Sequence, residues 1–196
     1  MTGSINRHPS LREIYEPQIS VLFRDNCAAC HVRNAMGQIN FPNLIDQHWL
    51  WSGTPEEIEY TLLHGINSES EDTRFAKMPA FGRDELLERS EVVEAVEYVL
   101  KISGQNHDVS AASRGAEVFE VNCASCHNER GIGGLENGAP SLTDSAWIYG
   151  GNPEAIRKTL QNGRAGIMPK WSDRLTQSEI RQLALYVYWL SQDAER

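Results

Sequence analysis

Apolar residues recur at helical spacing in two late segments of the chain. Val92, Ala95, Val96, Val99 and Ile102 fall on one face of a helix, as do Ile180, Leu183, Tyr186, Val187 and Leu190. The second of these follows Thr176-Gln177-Ser178-Glu179, a helix-start signature in which the threonine and the glutamate each satisfy a backbone N–H of the first turn. Earlier segments, from about Leu11 to Asn26 and from Ser113 to Asn122, also read as helices, with Phe23 and Phe119 each four residues before a cysteine. Two middle helices start at Thr54-Pro55-Glu56-Glu57 and Asn152-Pro153-Glu154, where a capping side chain, a proline at the first helical position and negative charge at the positive helix end coincide. Gly65 and Gly163 supply matching stops. No segment sustains the alternation of a half-buried strand, so the pattern predicts an all-α protein.

The predicted elements occur twice. Pro42-Asn43-Leu44-Ile45-Asp46-Gln47-His48-Trp49-Leu50-Trp51-Ser52-Gly53-Thr54-Pro55 reappears 98 positions later as Pro140-Ser141-Leu142-Thr143-Asp144-Ser145-Ala146-Trp147-Ile148-Tyr149-Gly150-Gly151-Asn152-Pro153. The repeat divides the chain into domains at 1–104 and 113–196, with the Gly-, Asn-, Asp- and Ser-rich stretch 105–112 as linker. Composition is that of a globular protein, and no apolar run has the length of a membrane span. Residues 1–104 hold 9 Lys and Arg against 16 Asp and Glu, a net of −7; residues 105–196 hold 9 against 11, a net of −2. An acidic surface excludes nucleic acid as a partner and suits steering of a basic redox protein toward the first half, or simply solubility.

All four cysteines lie in two motifs, Cys27-Ala28-Ala29-Cys30-His31 and Cys123-Ala124-Ser125-Cys126-His127. On one helical turn, residues i and i+3 share a face, so both thiols reach the two vinyl groups of one porphyrin and the next residue, histidine, meets the iron. The pattern therefore predicts two covalently bound haem c groups; a CxxC alone also serves zinc sites and redox dithiols. Met78-Pro79 and Met168-Pro169 stand at corresponding places, after the middle helix and before the last one. A methionine before proline is held extended, which suits a loop presenting one sulfur, and a thioether ligand favours Fe(II). These methionines are the expected partners of His31 and His127, the alternative being that they fill apolar gaps. His64 is a rival ligand for the first haem, but its counterpart is Asn162, and a histidine at a helix C-terminus has a structural role of its own.

Phenylalanine before CxxCH, a proline about a dozen residues after the histidine, Met-Pro, and a last helix bearing Tyr98 or Tyr186 resemble class I cytochrome c domains. More narrowly, Phe41-Pro42-Asn43-Leu44 with Trp49-Leu50-Trp51-Ser52-Gly53 and Met78-Pro79-Ala80-Phe81-Gly82 is similar to the dihaem cytochrome c subunit of cbb-type haem-copper oxidases. So are Gly138-Ala139-Pro140-Ser141-Leu142-Thr143-Asp144, Trp147-Ile148-Tyr149-Gly150-Gly151, Asn162-Gly163-Arg164 and Met168-Pro169.

The resemblance implies two tandem class I domains, each wrapped around one haem, and a relay of single electrons toward a membrane oxidase. A quinol-oxidising complex or a small cytochrome would be the donor. It assigns the Pro42 carbonyl to His31 and the Pro140 carbonyl to His127, and makes Trp49, Trp147 and Arg164 candidates for contact with haem propionates; both tryptophans also read as core residues.

The implied location is periplasmic, tethered to the inner membrane. The first 26 residues lack the features of a secretory signal, so the haem reading predicts that a leader or anchor is missing from this stretch, with Met1-Thr2-Gly3-Ser4 as an artificial or truncated start. The competing readings are a free-standing periplasmic shuttle, a dihaem peroxidase or thiosulfate dehydrogenase, and a gas or redox sensor. One further departure is Ile19, which stands where the second repeat has Gly115, a position at which crossing helices of this family want a small residue.

Overall fold

The computed structural model describes residues 9–194. Among these residues the chain forms helices and no strand: α1 (Pro9–Asn26), α2 (Ala28–His31), α3 (Pro55–His64), α4 (Arg89–Ile102), α5 (Val109–Asn122), α6 (Ala124–His127), α7 (Pro153–Asn162) and α8 (Gln177–Asp193). Only isolated bridges join its loops. No helix among the described residues is long and apolar enough to cross a membrane.

The start signals act as the sequence indicates. Thr54 Oγ1 accepts from Glu57 N, Asn152 Oδ1 from Ala155 N at 2.9 Å, and Thr176 and Glu179 close a reciprocal box in which Thr176 N donates to Glu179 Oε2 at 2.8 Å. Helix α5 starts earlier than its apolar pattern suggests. Asp108, within the stretch that reads as linker, accepts from Ala111 N at 2.7 Å and draws the following residues into the helix.

The helices sort into two compact units, and these do not follow the 98-residue repeat. The first unit runs to Gln47, takes in Ser52–Arg74, and is completed by the segment from Ile167 onward. The second holds His48–Trp51 and Phe75–Gly166. The stretch between α4 and α5 is thus internal to the second unit. Counted over the units, the charges are 9 against 14 and 9 against 13, or −5 and −4, so the imbalance between the sequence halves largely disappears.

In the first unit α8 packs on α1 and α3. Ile19, Phe23, Ile58, Leu62, Ile180, Leu183 and Trp189 are buried, and the rings of Phe23 and Tyr186 lie 5.6 Å apart. Arg12 pairs with Asp193 and sits over the Trp189 ring, tying the ends of α1 and α8 together. In the second unit α4 packs on α5 and α7 around Val92, Val96, Val99, Leu100, Ile156 and Leu160. Tyr98 and Phe119 repeat the aromatic pair at 5.0 Å. Here α4 and α5 approach closely, because a Cβ on Gly115 would lie 2.0 Å from the Glu94 carbonyl oxygen.

Candidate cofactor sites

Each CxxCH straddles the end of one helix and the start of a single further turn. Cys27 N donates to Phe23 O at 2.7 Å, closing α1, while Cys27 O accepts from His31 N at 3.0 Å, opening α2. Cys123 does the same between Phe119 and His127, at 2.8 and 2.9 Å. On such a turn residues i, i+3 and i+4 share a face, which is the spacing a doubly attached porphyrin needs from two cysteines and a histidine. The four thiols are unpaired by disulfides. Burial pushes the Cys27 thiol up to about 12 and the Cys123 thiol to about 11, which keeps both protonated at neutral pH.

The histidines carry the fit to iron. His31 Nδ1 lies 3.0 Å from Pro42 O, and His127 Nδ1 lies 2.9 Å from Pro140 O. A carbonyl oxygen only accepts, so Nδ1 holds the proton in both rings and Nε2 keeps the lone pair that a metal requires. Burial lowers both imidazole pKa values, although the hydrogen bonds to the proline carbonyls pull the other way, and this favours the neutral ligand form. The donor set thus fits a haem iron in each unit. The prolines are held close by tight turns: Gly37 N and Gly133 N donate to the carbonyls of His31 and His127 at 3.1 and 2.9 Å. A Cβ on Gly37 would lie 2.5 Å from Pro42 O, and one on Gly133 would lie 2.7 Å from Ala139 O. The signal for these glycines in the sequence is their spacing alone, each standing six residues after its histidine.

The methionines lie in different surroundings from those the repeat suggests. Met168, half-buried, belongs to the unit that holds Cys27, Cys30 and His31. Its backbone exchanges two hydrogen bonds with Ile66, at 2.9 and 3.0 Å. Met78 belongs to the unit of Cys123, Cys126 and His127, exchanges two bonds with Arg164 at 2.8 and 3.0 Å, and packs with Leu142 and Trp147 against the core.

Among the other candidates, Arg164 donates to Thr159 Oγ1 from Nε and Nη2 at 3.0 and 2.7 Å and stacks 4.2 Å over the Tyr149 ring. Trp147 packs over Gly151 and the core of its unit. Trp49 is half-buried and clusters with the second unit, whereas His31 belongs to the first; Trp51, two residues on, is the buried one and packs against Gly138. His64 faces Ser70 Oγ at 3.4 Å and Asp72 at 3.9 Å, and its ring lies 4.5 Å from that of Tyr60, tilted by 44°. Met1 and His8 lie outside the described residues.

Comparison with known proteins agrees with this double construction. Residues 18–103 match the family "Cytochrome c", and residues 110–187 match "Cytochrome C oxidase, cbb3-type, subunit III". The chain is 43% identical over 188 residues to the cbb3-type cytochrome c oxidase subunit CcoP of Cereibacter sphaeroides, covering 95% of this chain and 65% of the relative. It is 41% identical over 187 residues to the FixP subunit of Azorhizobium caulinodans, with 95% and 63% covered. With CcoP of Rhodobacter capsulatus it shares 44% over 180 residues, with 87% and 61% covered. The chain spans a little under two thirds of the length of these curated relatives.

Proposed function

This chain belongs to the cytochrome c family, as a tandem pair of domains homologous to the CcoP and FixP subunits of cbb3-type oxidases and carrying two covalently bound haem c, and from that premise we propose that it relays single electrons to a membrane oxidase. His31, His127, Met78 and Met168 would be the ligands of the two irons, and the four motif cysteines the points of covalent attachment. The observation that carries this reading is the duplicated hydrogen bond from imidazole Nδ1 to a proline carbonyl, which orients each ring and leaves Nε2 to the metal.

The haem supplies a one-electron couple. The chain's residues hold that couple to electron transfer. The proline carbonyls fix ring orientation and strengthen nitrogen donation. The Met-Pro segments, clamped by paired backbone bonds, are suited to keep a thioether in place through both redox states and so to deny small molecules a coordination position. Trp147 packs over the core of its unit in a position suited to screening a cofactor edge from water.

The donor is a cytochrome or a quinol-oxidising complex, the acceptor is the oxidase to which the relatives belong, and the domains work in the periplasm. The test is mass and ligand binding on the purified, haem-loaded chain. Two added haems and no carbon monoxide uptake by the reduced native protein are expected. A different haem count would overturn the two-haem reading, and rapid carbon monoxide binding would turn it toward a peroxidase or a sensor.

A further inference from the structure

We propose that Gln38 and Asn137 are positioning residues for the two cofactors: the side-chain amide of each staples the loop that carries the proline carbonyl to the CxxCH turn, and so steadies the imidazole hydrogen bond that tunes each iron. This rests on the two-haem reading above and adds to it residues that neither the motif nor the repeat singles out.

The single-turn helices α2 and α6 end in carbonyls that no helical N–H reaches. In both units the loop that follows takes up the last two of them. Gly37 N and Gly133 N bond the histidine carbonyls, and a side-chain amide bonds the carbonyl of the second cysteine: Gln38 Nε2 donates to Cys30 O at 3.3 Å, and Asn137 Nδ2 donates to Cys126 O at 3.1 Å. A carbonyl only accepts, so the nitrogen end of each amide must face it.

These two donors are not equivalent residues. Gln38 and Gly134 are the equivalent ones, each seven residues after its histidine and each opening the hairpin that leads to the proline. Gln38 N donates to Phe41 O and Gly134 N to Ala139 O, both at 3.1 Å. The second hairpin, 134–139 against 38–41, is two residues longer and has no side chain at its first position. Asn137 comes from that longer loop, and its amide folds back to where a side chain on Gly134 would begin. A Cβ on Gly134 would lie 3.1 and 3.3 Å from the Asn137 amide oxygen and nitrogen and 3.2 Å from Cys126 O. Asn137 Oδ1 also accepts from Ala139 N at 2.9 Å, which fixes the direction of the amide. The second repeat thus rebuilds, from another residue, a bond that the first makes directly. Both amides and both cysteines are exposed, where a lone hydrogen bond adds little to stability, so its double construction points to the cofactor.

Each hairpin runs on to Pro42 or Pro140, whose carbonyl accepts from His31 or His127 Nδ1. The loop is therefore fastened to the CxxCH turn at both ends. Releasing the amide end lets the proline carbonyl drift from Nδ1. A weaker hydrogen bond makes the imidazole a poorer donor, which favours Fe(II) and raises the potential of that haem alone.

Spectroelectrochemical titration of the intact, haem-loaded chain tests this, together with solvent exchange of the two imidazole Nδ1 protons followed by nuclear magnetic resonance. Gln38→Ala should raise one potential and speed exchange of the His31 proton roughly fivefold, the factor that one neutral hydrogen bond contributes to an opening equilibrium, with the other haem unchanged. Asn137→Ala should do the same to the other haem and His127. Gly134→Gln combined with Asn137→Ala moves the donor to the position the first repeat uses and should restore the parent values. The mass of each variant counts its haems, and Gln38→Met and Asn137→Leu, which keep the bulk and remove the donor, carry the test wherever an alanine variant loads fewer than two. Unchanged potentials and exchange overturn the proposal, as does a shift that the relocated glutamine fails to reverse. A parent chain without two haems overturns the underlying reading instead, a failure distinct from the first.

Discussion

Gly115→Ala tests the close crossing of α4 and α5. The new methyl carbon would lie 2.0 Å from the Glu94 carbonyl oxygen, 2.5 Å from its carbonyl carbon and 3.0 Å from Tyr98 Cβ. Ordinary carbon contacts need about 3.5 Å, so the helices would have to part by roughly 1 Å or more. The nearest atoms are backbone and cannot rotate aside, which places the strain at the upper end of the overpacking range, about 3 kcal/mol. Alanine's helix preference over glycine returns about 1 kcal/mol. The net loss is about 2 kcal/mol, which for a chain of this size lowers the melting temperature by roughly 4–8 °C. Thermal unfolding of the haem-loaded protein, followed by circular dichroism, measures it, with the exposed Ser113→Ala on the same helix as control. A midpoint equal to or above that of the parent would show that α4 and α5 are not packed as described.

Gly65→Ala and Gly163→Ala should each weaken the methionine lodged against them, so that carbon monoxide uptake rises in both variants and the Met168 methyl signal moves in the first but not the second. Thr176→Ala should cost about 1 kcal/mol in denaturant unfolding by removing the cap of α8, and should return the Glu179 carboxyl, now held below its usual range by its bonds to Thr176, toward the ordinary value. Stability should fall with acidity: unfolded imidazoles bind protons below about pH 6.5 whereas buried His31 and His127 resist them, so each contributes up to about 1.4 kcal/mol lost per pH unit between the ordinary value and its lowered folded one. A denaturation midpoint that rises from pH 7 to pH 5 would contradict this.

The features legible in the sequence are those fixed by neighbours along the chain. Capping residues, prolines at first helical positions and the spacing of cysteines and histidine act within one or two turns, so Thr54, Asn152, Thr176 and the two CxxCH motifs stand where the pattern puts them. The carbonyl partners Pro42 and Pro140 are legible only through family resemblance, because spacing does not say which carbonyl meets a ring nitrogen. The grouping into units was not legible at all. Two repeats with the same apolar faces allow each last helix to pack on either first helix, and periodicity is identical in both arrangements. The charge imbalance belongs to the halves of the sequence and not to the units, whose net charges are nearly equal.

What selects the grouping into these units is a difference between the repeats at one position. Helix α5 presents Gly115 to α4, at a spot where even a methyl group meets the Glu94 carbonyl. Helix α1 presents Ile19 at the matching position, and Ile19 is buried in the first unit, where α1 packs on α8. If each repeat folded on itself, α1 would take the place of α5 against α4, and the Ile19 side chain would stand where no Cβ fits. The short connection between α4 and α5 also keeps those helices together, since closing a short loop costs little. The two causes separate by experiment. Gly104 has nothing within 4 Å of a Cβ position, so ten Gly and Ser residues inserted after it relax the connection without touching the packing. If Ile19 and Gly115 are the selectors, the lengthened chain keeps Met168 with Cys27 and Cys30, while the combined change Ile19→Gly and Gly115→Ile in that background turns the methionines back to their own repeats. A switch on lengthening alone would assign the grouping to the linker and refute the steric argument.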